Sequence, residues 1–484
     1  MPIGISKDVS AFLTLTYLAD SSILELSYKS LSPDLNSNSC FDRLISGIAQ
    51  VRARYSRSKL MTVAIENNLE SYCVGVSMRA REASGLLIGL SGAIKDRWLT
   101  ESSRRIEAAL SEIIEANLLD LGNAEQYGLT DAETDRLRLT PQRILEIANG
   151  LRAIAALPDP VGEVIEGSTR PNGLQISKIR VPLGVLFFIY ESRPNVTADA
   201  AGIAIKSGNA IILRGGKEAM HSSRAIVNIM QLAAADVGVP VDAVQLVSTT
   251  DRDAVGQFLK HSQWIDLVIP RGGENLIRRV VAEATMPVLK HYDGNCHVYV
   301  DKHADLQMSV RVVENAKCQR MGVCNALESL LVHRDIAEAF LPALAQTLSA
   351  YPIEIRGDEQ TLRLIPDAIP ANPEDWSKEY LGPILSVRVV ESLDEAILHI
   401  NRYGSRHTDA IMTSDIAAAK QFVTRVDSSA VIVNASTRFN DGSQLGLGAE
   451  IGISTDKFHA RGPCGLRELT TTKYVVYGDG QVRN

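Results

Sequence analysis

Residues 181–218 read VPLGVLFFIYESRPNVTADAAGIAIKSGNAIILRGGKE, and this stretch decides the fold class. Apolar runs at 181–190 and 210–213 flank a helix-like segment at 196–206. Apolar runs without polar alternation are typical of strands that are buried on both faces, as in parallel sheets covered by helices. The stretch therefore predicts a strand–helix–strand unit of an α/β protein.

The same alternation continues toward the C-terminus in two series. In the first, strand-like runs lie at 243–247, 265–269 and 287–289, with helical patterns at 219–237, 253–260 and 275–284. In the second, strand-like runs lie at 298–300, 327–332, 385–390, 410–413 and 430–433. Helical patterns at 69–117 and 141–156 precede both series. The sequence therefore predicts two α/β domains in tandem, each built on a parallel sheet.

Two further segments alternate apolar and polar residues. Residues 162–180 are punctuated by Gly162, Gly167, Pro171 and Gly173, which predicts an exposed antiparallel hairpin. Residues 470–482 alternate in the same way. Because edge-like strands of this kind often pair between subunits, we expect a small β oligomerisation arm and a homo-oligomer.

Composition narrows the classes of partner. The 484 residues carry 50 Lys and Arg against 57 Asp and Glu, a net charge of −7, which provides no basic field for nucleic acid. No uncharged apolar run approaches the roughly 18 residues of a membrane span, so we expect no membrane partner. Six cysteines in a chain of this length do not make a disulfide framework, which predicts a reducing compartment, the cytoplasm.

The N-terminal residues differ in composition from the rest. Residues 1–60 are rich in Ser and end in a basic patch at 52–59. We interpret residues 1–68 as an N-terminal extension: a flexible tail, or the result of a translation start placed too early, with Met61 as the true beginning. A functional N-terminal module is the alternative.

Two glycine turns directly follow strand-like runs. Residues 214–217 (RGGK) follow the run that ends at Leu213, and residues 271–273 (RGG) follow the run at 265–269. Ligands of open parallel sheets bind at this edge, and a helix N-terminus favours phosphate. Phosphate binding and ordinary strand–helix turns both fit this pattern. The glycines at 446, 448 and 452 have the wrong spacing and context for a dinucleotide fingerprint and predict only a local turn.

Cys324 is the candidate nucleophile. It lies in the segment QRMGVCN at 319–325, where Gly322 predicts a turn between a helical run and a strand-like run. Arg320 would lower the pKa of a neighbouring thiol and favour a nucleophilic thiolate. A buried structural cysteine is the alternative that the pattern leaves open.

A zinc site is the other chemistry considered for the cysteines. It would combine Cys296, His297, Cys318 and Cys324. Cys296 and His297 are adjacent on a predicted strand and therefore point to opposite faces, which makes shared ligation awkward. The sequence predicts no metal site.

Several longer motifs, taken together, carry a family resemblance. They are VPLGV at 181–185, YESRPNVT at 190–197, GNAIILRGGKE at 208–218, IPRGG at 269–273, CNALE at 324–328, DSSA at 427–430, NASTRF at 434–439 and HARGP at 459–463. In these motifs the chain resembles the γ-glutamyl phosphate reductases, a family of the aldehyde dehydrogenase superfamily. The resemblance extends from about residue 69 to the C-terminus.

The resemblance implies a fold and a reaction. The fold is aldehyde-dehydrogenase-like: a cofactor-binding domain at 69–295 with the hairpin arm at 162–180, a catalytic domain at 296–460, and a C-terminal return with an arm strand at 461–484. The reaction is the NADPH-dependent reduction of L-glutamyl 5-phosphate to L-glutamate 5-semialdehyde and phosphate, in proline biosynthesis. Cys324 would form a thioester with the acyl group, which splits one difficult step into two easier ones.

The resemblance also implies roles for individual residues. For the oxyanion it implies Ser192 or Asn195 together with the Cys324 backbone N–H, and for the ribose Glu379. Arg214 and Lys217 are candidates for the 2′-phosphate of NADPH. The other predicted cofactor-binding residues are Gly215, Gly216, Gly272 and Gly273, and the predicted substrate-binding residues are Arg320 and Arg438.

Position 290 departs from hydrolytic relatives. Those enzymes place a glutamate base about 34 residues before the nucleophile, where this sequence has Lys290. A hydrolytic, NAD-linked aldehyde dehydrogenase is the alternative function, and Lys290 argues against it. A catalytically inactive scaffold is a third reading, which an unreactive Cys324 would favour. Because only about 68 residues precede the match, too few for a kinase domain, we expect any glutamate kinase to be a separate chain in transient contact.

Overall fold

The computed structural model describes residues 69–191 and 193–483, and residues 68–484 form one compact unit. The predicted N-terminal extension, residues 1–68, lies outside the described residues, as does Ser192. Among the described residues, no helix is long and apolar enough to cross a membrane.

The helices of this unit form two groups, one before the first parallel sheet and one between the strands. The helices are α1 Leu69–Leu87, α2 Gly92–Ala108, α3 Leu110–Gly122, α4 Asp131–Leu137, α5 Pro141–Ala156, α6 Pro194–Lys206, α7 Met220–Val237, α8 Asp253–Phe258, α9 Glu274–Glu283, α10 Leu306–Cys318, α11 Arg334–Leu348, α12 Glu359–Leu364, α13 Leu393–Tyr403 and α14 Ile416–Arg425.

The strands form four sheets within the described residues. The strands are β1 Val164–Thr169, β2 Gln175–Pro182, β3 Val185–Tyr190, β4 Ala210–Arg214, β5 Val244–Leu246, β6 Leu267–Arg271, β7 Cys296–Val300, β8 Leu327–His333, β9 Glu354–Gly357, β10 Ile369–Pro370, β11 Ile384–Val390, β12 Thr408–Met412, β13 Ala430–Val433, β14 Gly452–Ser454, β15 Gly462–Cys464 and β16 Thr470–Tyr477.

The first parallel sheet has the strand order β5-β4-β3-β6, and all of its neighbours are parallel. Every residue of β3 and β4 is buried, as the uninterrupted apolar runs predict. The predicted run at 287–289 extends this sheet as a parallel bridge between Val268 and Val288. Residues 290 and 291, which follow this bridge, thus lie at the carboxyl end of the sheet, where open α/β folds bind ligands.

The predicted single strand at 181–190 is wrong, because β2 ends at Pro182 and β3 begins at Val185. Gly184 lies between them with a φ of 134°, in the left-handed range that favours glycine. A Cβ atom on Gly184 would lie 2.0 Å from the Asp266 carboxylate, so the turn requires glycine for two reasons.

The second parallel sheet has seven strands in the order β10-β9-β11-β8-β7-β12-β13. All of its neighbouring strands are parallel. The five predicted runs are confirmed within a few residues, whereas β9 and β10 were not predicted. Both are short, and the exposed β10, at the edge of the sheet, lacks the apolar run that marks a buried strand.

A three-stranded antiparallel sheet, β1-β2-β16, forms the predicted arm. The hairpin at 162–180 is confirmed, and the alternating C-terminal segment pairs with β2 along eight residues, from Thr470–Pro182 to Tyr477–Gln175. These predicted edge strands therefore pair with each other inside one chain. The outer edges of β1 and β16 have no further strand in the described part of the chain.

Separate apolar cores surround the two parallel sheets. The core of the first sheet also includes Ile451, Ala460 and Cys464, which come from the C-terminal part of the chain. The segment that carries them therefore returns from the second sheet to the first. The α/β class with parallel sheets and a small β arm is confirmed.

Candidate active site

Cys324 lies in the loop between α10 and β8, close to the carboxyl end of the first sheet. The backbone of Gly294 approaches this loop so closely that a Cβ atom there would lie 1.9 Å from the Cys324 carbonyl oxygen. The same carbonyl accepts a hydrogen bond from the Cys296 thiol at 3.2 Å. The Asn325 amide donates to the Asn440 carbonyl at 3.0 Å. These contacts hold the loop that carries Cys324 between the segment at 294–296 and the segment at Asn440, which are distant in sequence.

Burial and nearby charges set the state of the Cys324 thiol. Burial raises the pKa of Cys324 to about 11, Arg271 lowers it, and the carboxylates of Glu379 and Glu450 raise it. The cation with the largest effect is therefore Arg271, at the end of β6, rather than the predicted Arg320. Arg271 packs over Gly452, where a Cβ atom would lie 2.5 Å from the guanidinium.

Two imidazoles lie beside Cys324. One ring nitrogen of His291, one of His407 and the Cys324 sulfur all lie within 4.8 Å of one another. Burial, followed by the charge of Arg271, lowers the pKa of His291 to about 4. Burial, His291 and Arg271 together lower the pKa of His407 well below its usual value. Both rings are therefore neutral at physiological pH.

Several arginines form a cationic group, and two of them, Arg271 and Arg438, interact electrostatically with Cys324. Burial and then the charge of Arg320 lower the pKa of Arg438. Burial, Arg136, Arg320 and Arg271 lower the pKa of Arg193. Such mutual effects require that the guanidinium groups lie close together. The predicted pair, Arg320 and Arg438, is therefore brought together with Arg193 and Arg271, which the sequence reasoning missed.

Arg438 lines a cavity of about 300 Å³ together with Gln319 and Asp441. Its Nε donates to the Gln319 side chain at 2.8 Å. This hydrogen bond orients the guanidinium beside the cysteine loop, because Gln319 directly follows α10. The cavity is thus a candidate subsite for an anionic group.

A buried ion pair joins α10 to β8, the strand that follows Cys324, and its carboxylate also bonds to the loop that carries Glu379. The Lys317 ammonium lies 2.6 Å from the Glu328 carboxylate, and both side chains are fully buried. The other oxygen of Glu328 accepts the Leu381 backbone N–H at 3.0 Å. Leu381 has a φ of 52°, unusual for a residue with a large side chain. The Glu328 carboxylate therefore holds a strained turn next to Glu379.

Glu379 is the predicted ribose ligand. Burial raises its pKa to about 7, the Gly294 backbone N–H lowers it by hydrogen bonding, and the charge of Asp293 raises it further. Because Gly294 also contacts the Cys324 backbone, Glu379 belongs to the immediate surroundings of Cys324.

Lys290 forms an ion pair with Asp456, at 2.9 Å. Its side chain is 18% exposed and that of Asp456 is 36% exposed. The Lys290 carbonyl also accepts the Thr455 backbone N–H at 3.2 Å. The segment at 454–456 thus packs against Lys290, which lies between the strand-like run at 287–289 and His291.

The sequence matches the aldehyde dehydrogenase family model over residues 91–362 and 364–475. The chain belongs to the aldehyde dehydrogenase family. Within this family it is 63% identical to the γ-glutamyl phosphate reductase of Rhodopirellula baltica over 429 residues, 88% of this chain and 99% of that protein. It is 53% identical to that of Moorella thermoacetica over 405 residues, 84% of this chain and 97% of the relative.

Solved structures show the same relationship. The crystal structure of the γ-glutamyl phosphate reductase of Thermotoga maritima is 45% identical and has a TM-score of 0.84, covering 85% of this chain and all of that one. An acetylating aldehyde dehydrogenase of Geobacillus thermoglucosidasius shares only the fold, at 19% identity and a TM-score of 0.63, with coverage of 87% and 99%. The resemblance in sequence is confirmed, and this aldehyde dehydrogenase is an oxidoreductase.

The two cations of the first glycine turn differ in their surroundings. Arg214 is 7% exposed, and its guanidinium donates to the carbonyls of Gly215 and Thr250. Lys217 is exposed, with its ammonium 4.4 Å from the centre of the Tyr127 ring. Arg214 therefore supports the turn of this aldehyde dehydrogenase from inside, and Lys217 is the cation that faces outward. Gly215 allows close packing, because a Cβ atom there would lie 3.1 Å from the Tyr190 ring.

The second glycine turn ends at the N-terminus of α9. The Gly273 N–H donates to the Glu191 carboxylate at 2.8 Å. A Cβ atom on Gly272 would lie 2.6 Å from the same carboxylate. The carboxylate of Glu191, an exposed residue, thus occupies the position where the sequence pattern suggested a phosphate.

Asn195, a predicted oxyanion donor, lies in the first turn of α6. Its side-chain amide donates to Asp199 at 3.4 Å, one helical turn further on. Burial raises the pKa of Asp199 to about 6. Ser192, the other predicted donor, lies outside the described residues.

Proposed function

We propose that this chain reduces L-glutamyl 5-phosphate to L-glutamate 5-semialdehyde with NADPH, releases phosphate, and acts in proline biosynthesis. The relatives at 63% and 53% identity carry the name of this reductase. The observation that supports the substrate is the cationic group that includes Arg193, Arg271, Arg320 and Arg438, of which Arg271 and Arg438 interact with Cys324. Guanidinium groups are suited to phosphate and carboxylate, and the substrate bears both.

The first half of the proposed reaction is acyl transfer to Cys324. The thiol releases its proton to solvent, the sulfur attacks the carbonyl carbon, and the carbon–oxygen bond to phosphate breaks as phosphate leaves with the electron pair. Arg271 favours the thiolate, because its charge lowers the pKa of Cys324. Arg320 and Arg438 bind the anionic ends of the substrate. The backbone N–H of Cys324, with Ser192 or Asn195, stabilises the oxyanion.

The second half returns Cys324 to its free state. When bound, the nicotinamide cofactor supplies the hydride that reduces the thioester carbon. Cys324 then leaves as the thiolate when the carbon–sulfur bond breaks, and the aldehyde is released.

Residues of the chain fit this cofactor at several points. Lys217 is an outward-facing cation for a 2′-phosphate, and Gly272 and Gly273 expose the N-terminus of α9 once Glu191 moves aside. Glu379, close to Gly294 and Cys324, accepts hydrogen bonds from the ribose hydroxyls. Residues 69–295 form the cofactor-binding domain in this proposal, and residues 296–460 form the catalytic domain.

The proposal extends to cellular context. A free thiol nucleophile suits the reducing cytoplasm. The outer edges of β1 and β16 are suited to pairing with a second copy of the chain, as a homo-oligomer. Because acyl phosphates are labile, a separate glutamate kinase is proposed as a transient partner. Coupled assays that show no rate advantage over the separated enzymes would count against that contact.

The test of the function is the reverse reaction with glutamate semialdehyde and NADP⁺. We expect NADPH formation to require inorganic phosphate and to produce an acyl phosphate that hydroxylamine traps. A hydrolytic aldehyde dehydrogenase would instead form glutamate at the same rate without phosphate. Phosphate-independent turnover of the wild type would therefore refute the reductase and support the hydrolytic alternative.

A further inference from the structure

Three side chains from separate elements converge at the proposed nucleophile. His291 follows the bridge segment beside β6, Cys324 lies in the loop before β8, and His407 immediately precedes β12. One ligand atom from each lies within 4.8 Å of the other two. The zinc set considered from the sequence was different. In the structure Cys296 contacts Cys324, whereas His297 on the opposite face of β7 bonds to Asp409.

Hydrogen bonds determine which nitrogen of His291 is available. Its Nδ1 lies 2.9 Å from the Ile453 carbonyl oxygen. A carbonyl only accepts, so Nδ1 carries the proton and Nε2 of the neutral ring has a free lone pair. A histidine that donates one ring N–H to a backbone carbonyl is the usual arrangement of a metal ligand, because the hydrogen bond fixes the tautomer and the ring orientation.

His407 provides a second lone pair in the tautomer whose Nδ1–H donates to the Thr408 hydroxyl. Its side chain is fully buried, and Nδ1 lies 2.8 Å from the Thr408 hydroxyl and 3.6 Å from the Cys296 sulfur. Nε2, in contrast, is buried and has no hydrogen-bond partner. A buried polar atom without a partner is costly, and such atoms are rare in folded proteins. An occupant that accepts its lone pair would remove this cost.

Charges of both signs lie near the sulfur. Arg271 opposes a positive ion, but the two carboxylates of Glu379 and Glu450 act on Cys324 in the other direction. A thiolate ligand adds another negative charge. These acidic groups offset part of the positive charge of Arg271 and of Arg438, which also interacts with Cys324.

We infer that His291, Cys324 and His407 form a binding site for a soft divalent cation, Zn²⁺, that reversibly blocks the nucleophile. Tetrahedral Zn²⁺ keeps neighbouring nitrogen and sulfur ligands about 3.4–3.6 Å apart, so small inward movements complete the site. One zinc–sulfur and two zinc–nitrogen bonds form, the thiol proton is released to solvent, and no electron is transferred. The fourth position stays open for water or an anion. That the metal inhibits the enzyme rests on the proposed function; that it binds does not.

The test measures metal binding by the full-length, chelator-treated protein rather than turnover. Zn²⁺ is titrated by equilibrium dialysis, and Co²⁺ is titrated in parallel and followed by thiolate-to-metal charge-transfer absorption, which only a cysteine ligand produces. We expect one ion per chain at this site, and loss of the charge-transfer band in Cys324→Ser. We expect binding about 10- to 100-fold weaker in His291→Gln and in His407→Gln.

Two controls separate this site from adventitious binding. Cys318→Ser removes another partly exposed thiol, and His221→Gln removes an exposed imidazole. Both variants should bind the metal like the wild type. Because the buried His407 also affects packing, a second measurement uses the wild type alone: Zn²⁺ should slow alkylation of Cys324 by iodoacetamide, as mapped by peptide mass spectrometry. Binding unchanged in Cys324→Ser, or alkylation unaffected by Zn²⁺, would overturn the inference.

Failure of the metal site and failure of the proposed function are distinguishable. If phosphate-dependent turnover requires Cys324 but Zn²⁺ binding does not, only the metal site is refuted. If Zn²⁺ binding requires Cys324 while turnover of the wild type does not depend on phosphate, the proposed function is refuted and the metal site remains.

Discussion

The ammonium of Lys290 donates hydrogen bonds to both carboxylate oxygens of Asp456, at 3.0 and 2.9 Å. Lys290 lies at the position where the resemblance to hydrolytic relatives places a glutamate base. A protonated amine held by a carboxylate has no lone pair to accept a proton from water. In the proposed reaction, this ion pair would therefore protect an acyl group on Cys324 from hydrolysis, as a reductase requires.

Converting this position to a carboxylate should permit hydrolysis. We compare Lys290→Glu/Asp456→Asn with Lys290→Gln/Asp456→Asn, so that the new carboxylate does not face Asp456. Since a general base contributes about 10²- to 10⁴-fold, we expect phosphate-independent semialdehyde oxidation to rise at least tenfold in the first variant only. Equal rates in the two variants, measured by NADPH absorbance without phosphate, would show that position 290 does not control hydrolysis.

Lys217 should discriminate between the cofactors, whereas Arg214 should support the turn. A charge-assisted hydrogen bond contributes about 1.5–3 kcal/mol, so Lys217→Gln should raise the KM for NADPH at least tenfold and leave the KM for NADH nearly unchanged. Lys420→Gln, an exposed lysine of α14, is the matched control. Arg214→Gln should instead lower the thermal unfolding midpoint, because the buried guanidinium bonds to the Thr250 carbonyl. A selective loss of NADPH binding in Arg214→Gln alone would reverse these assignments.

The buried pair of Lys317 and Glu328 should be strongly coupled. Lys317→Met leaves the Glu328 carboxylate buried without its cation, which should cost about 3–5 kcal/mol in the free energy of unfolding. Lys317→Met/Glu328→Gln removes both charges and keeps an acceptor for the Leu381 N–H, so most of that loss should be recovered. Urea unfolding of both variants measures the difference, and equal losses would exclude coupling between the two residues.

Asp199 should make stability depend on pH. Its pKa is raised by burial to about 6, so the native state binds the proton more tightly than the unfolded state. The stabilisation of the native state by protonated Asp199 is fully present below about pH 4, and it is lost as the pH rises through 6. At pH 7–8 the free energy of unfolding of Asp199→Asn should therefore be about 1–2 kcal/mol higher than that of the wild type, a value reduced for residual solvent contact. The difference should vanish near pH 4; a variant that is less stable at pH 8 would contradict the assigned pKa.

The fold could be predicted from the sequence wherever burial leaves an apolar run. The runs that became β3, β4, β8 and β12 are buried on both faces, so their composition alone identifies them. The break between β2 and β3 at Gly184 was not predicted. It depends on the positive φ of Gly184, and the apolar residues on either side hide it in the sequence. β9 has only four residues and the exposed edge strand β10 only two, so both leave little pattern.

The site could be predicted only in part. Cys324 was found because a glycine turn precedes it between a helix and a strand. The sequence did not place His291 and His407 next to Cys324, because they converge on the sulfur only through tertiary contacts between distant segments. Arg271 carried a signal, since it directly precedes the Gly272–Gly273 turn at a strand end, but its side chain turns toward Cys324 rather than toward a phosphate at α9.

The most direct test of the central claim is the detection of an acyl group on Cys324. The protein is incubated with glutamate semialdehyde and NADP⁺ without phosphate, quenched in acid, and analysed by peptide mass spectrometry. We predict a glutamyl adduct on the peptide that contains Cys324, discharged when phosphate is added before the quench and absent in Cys324→Ala. An adduct on Cys296 instead, or turnover by Cys324→Ala at the wild-type rate, would contradict the account.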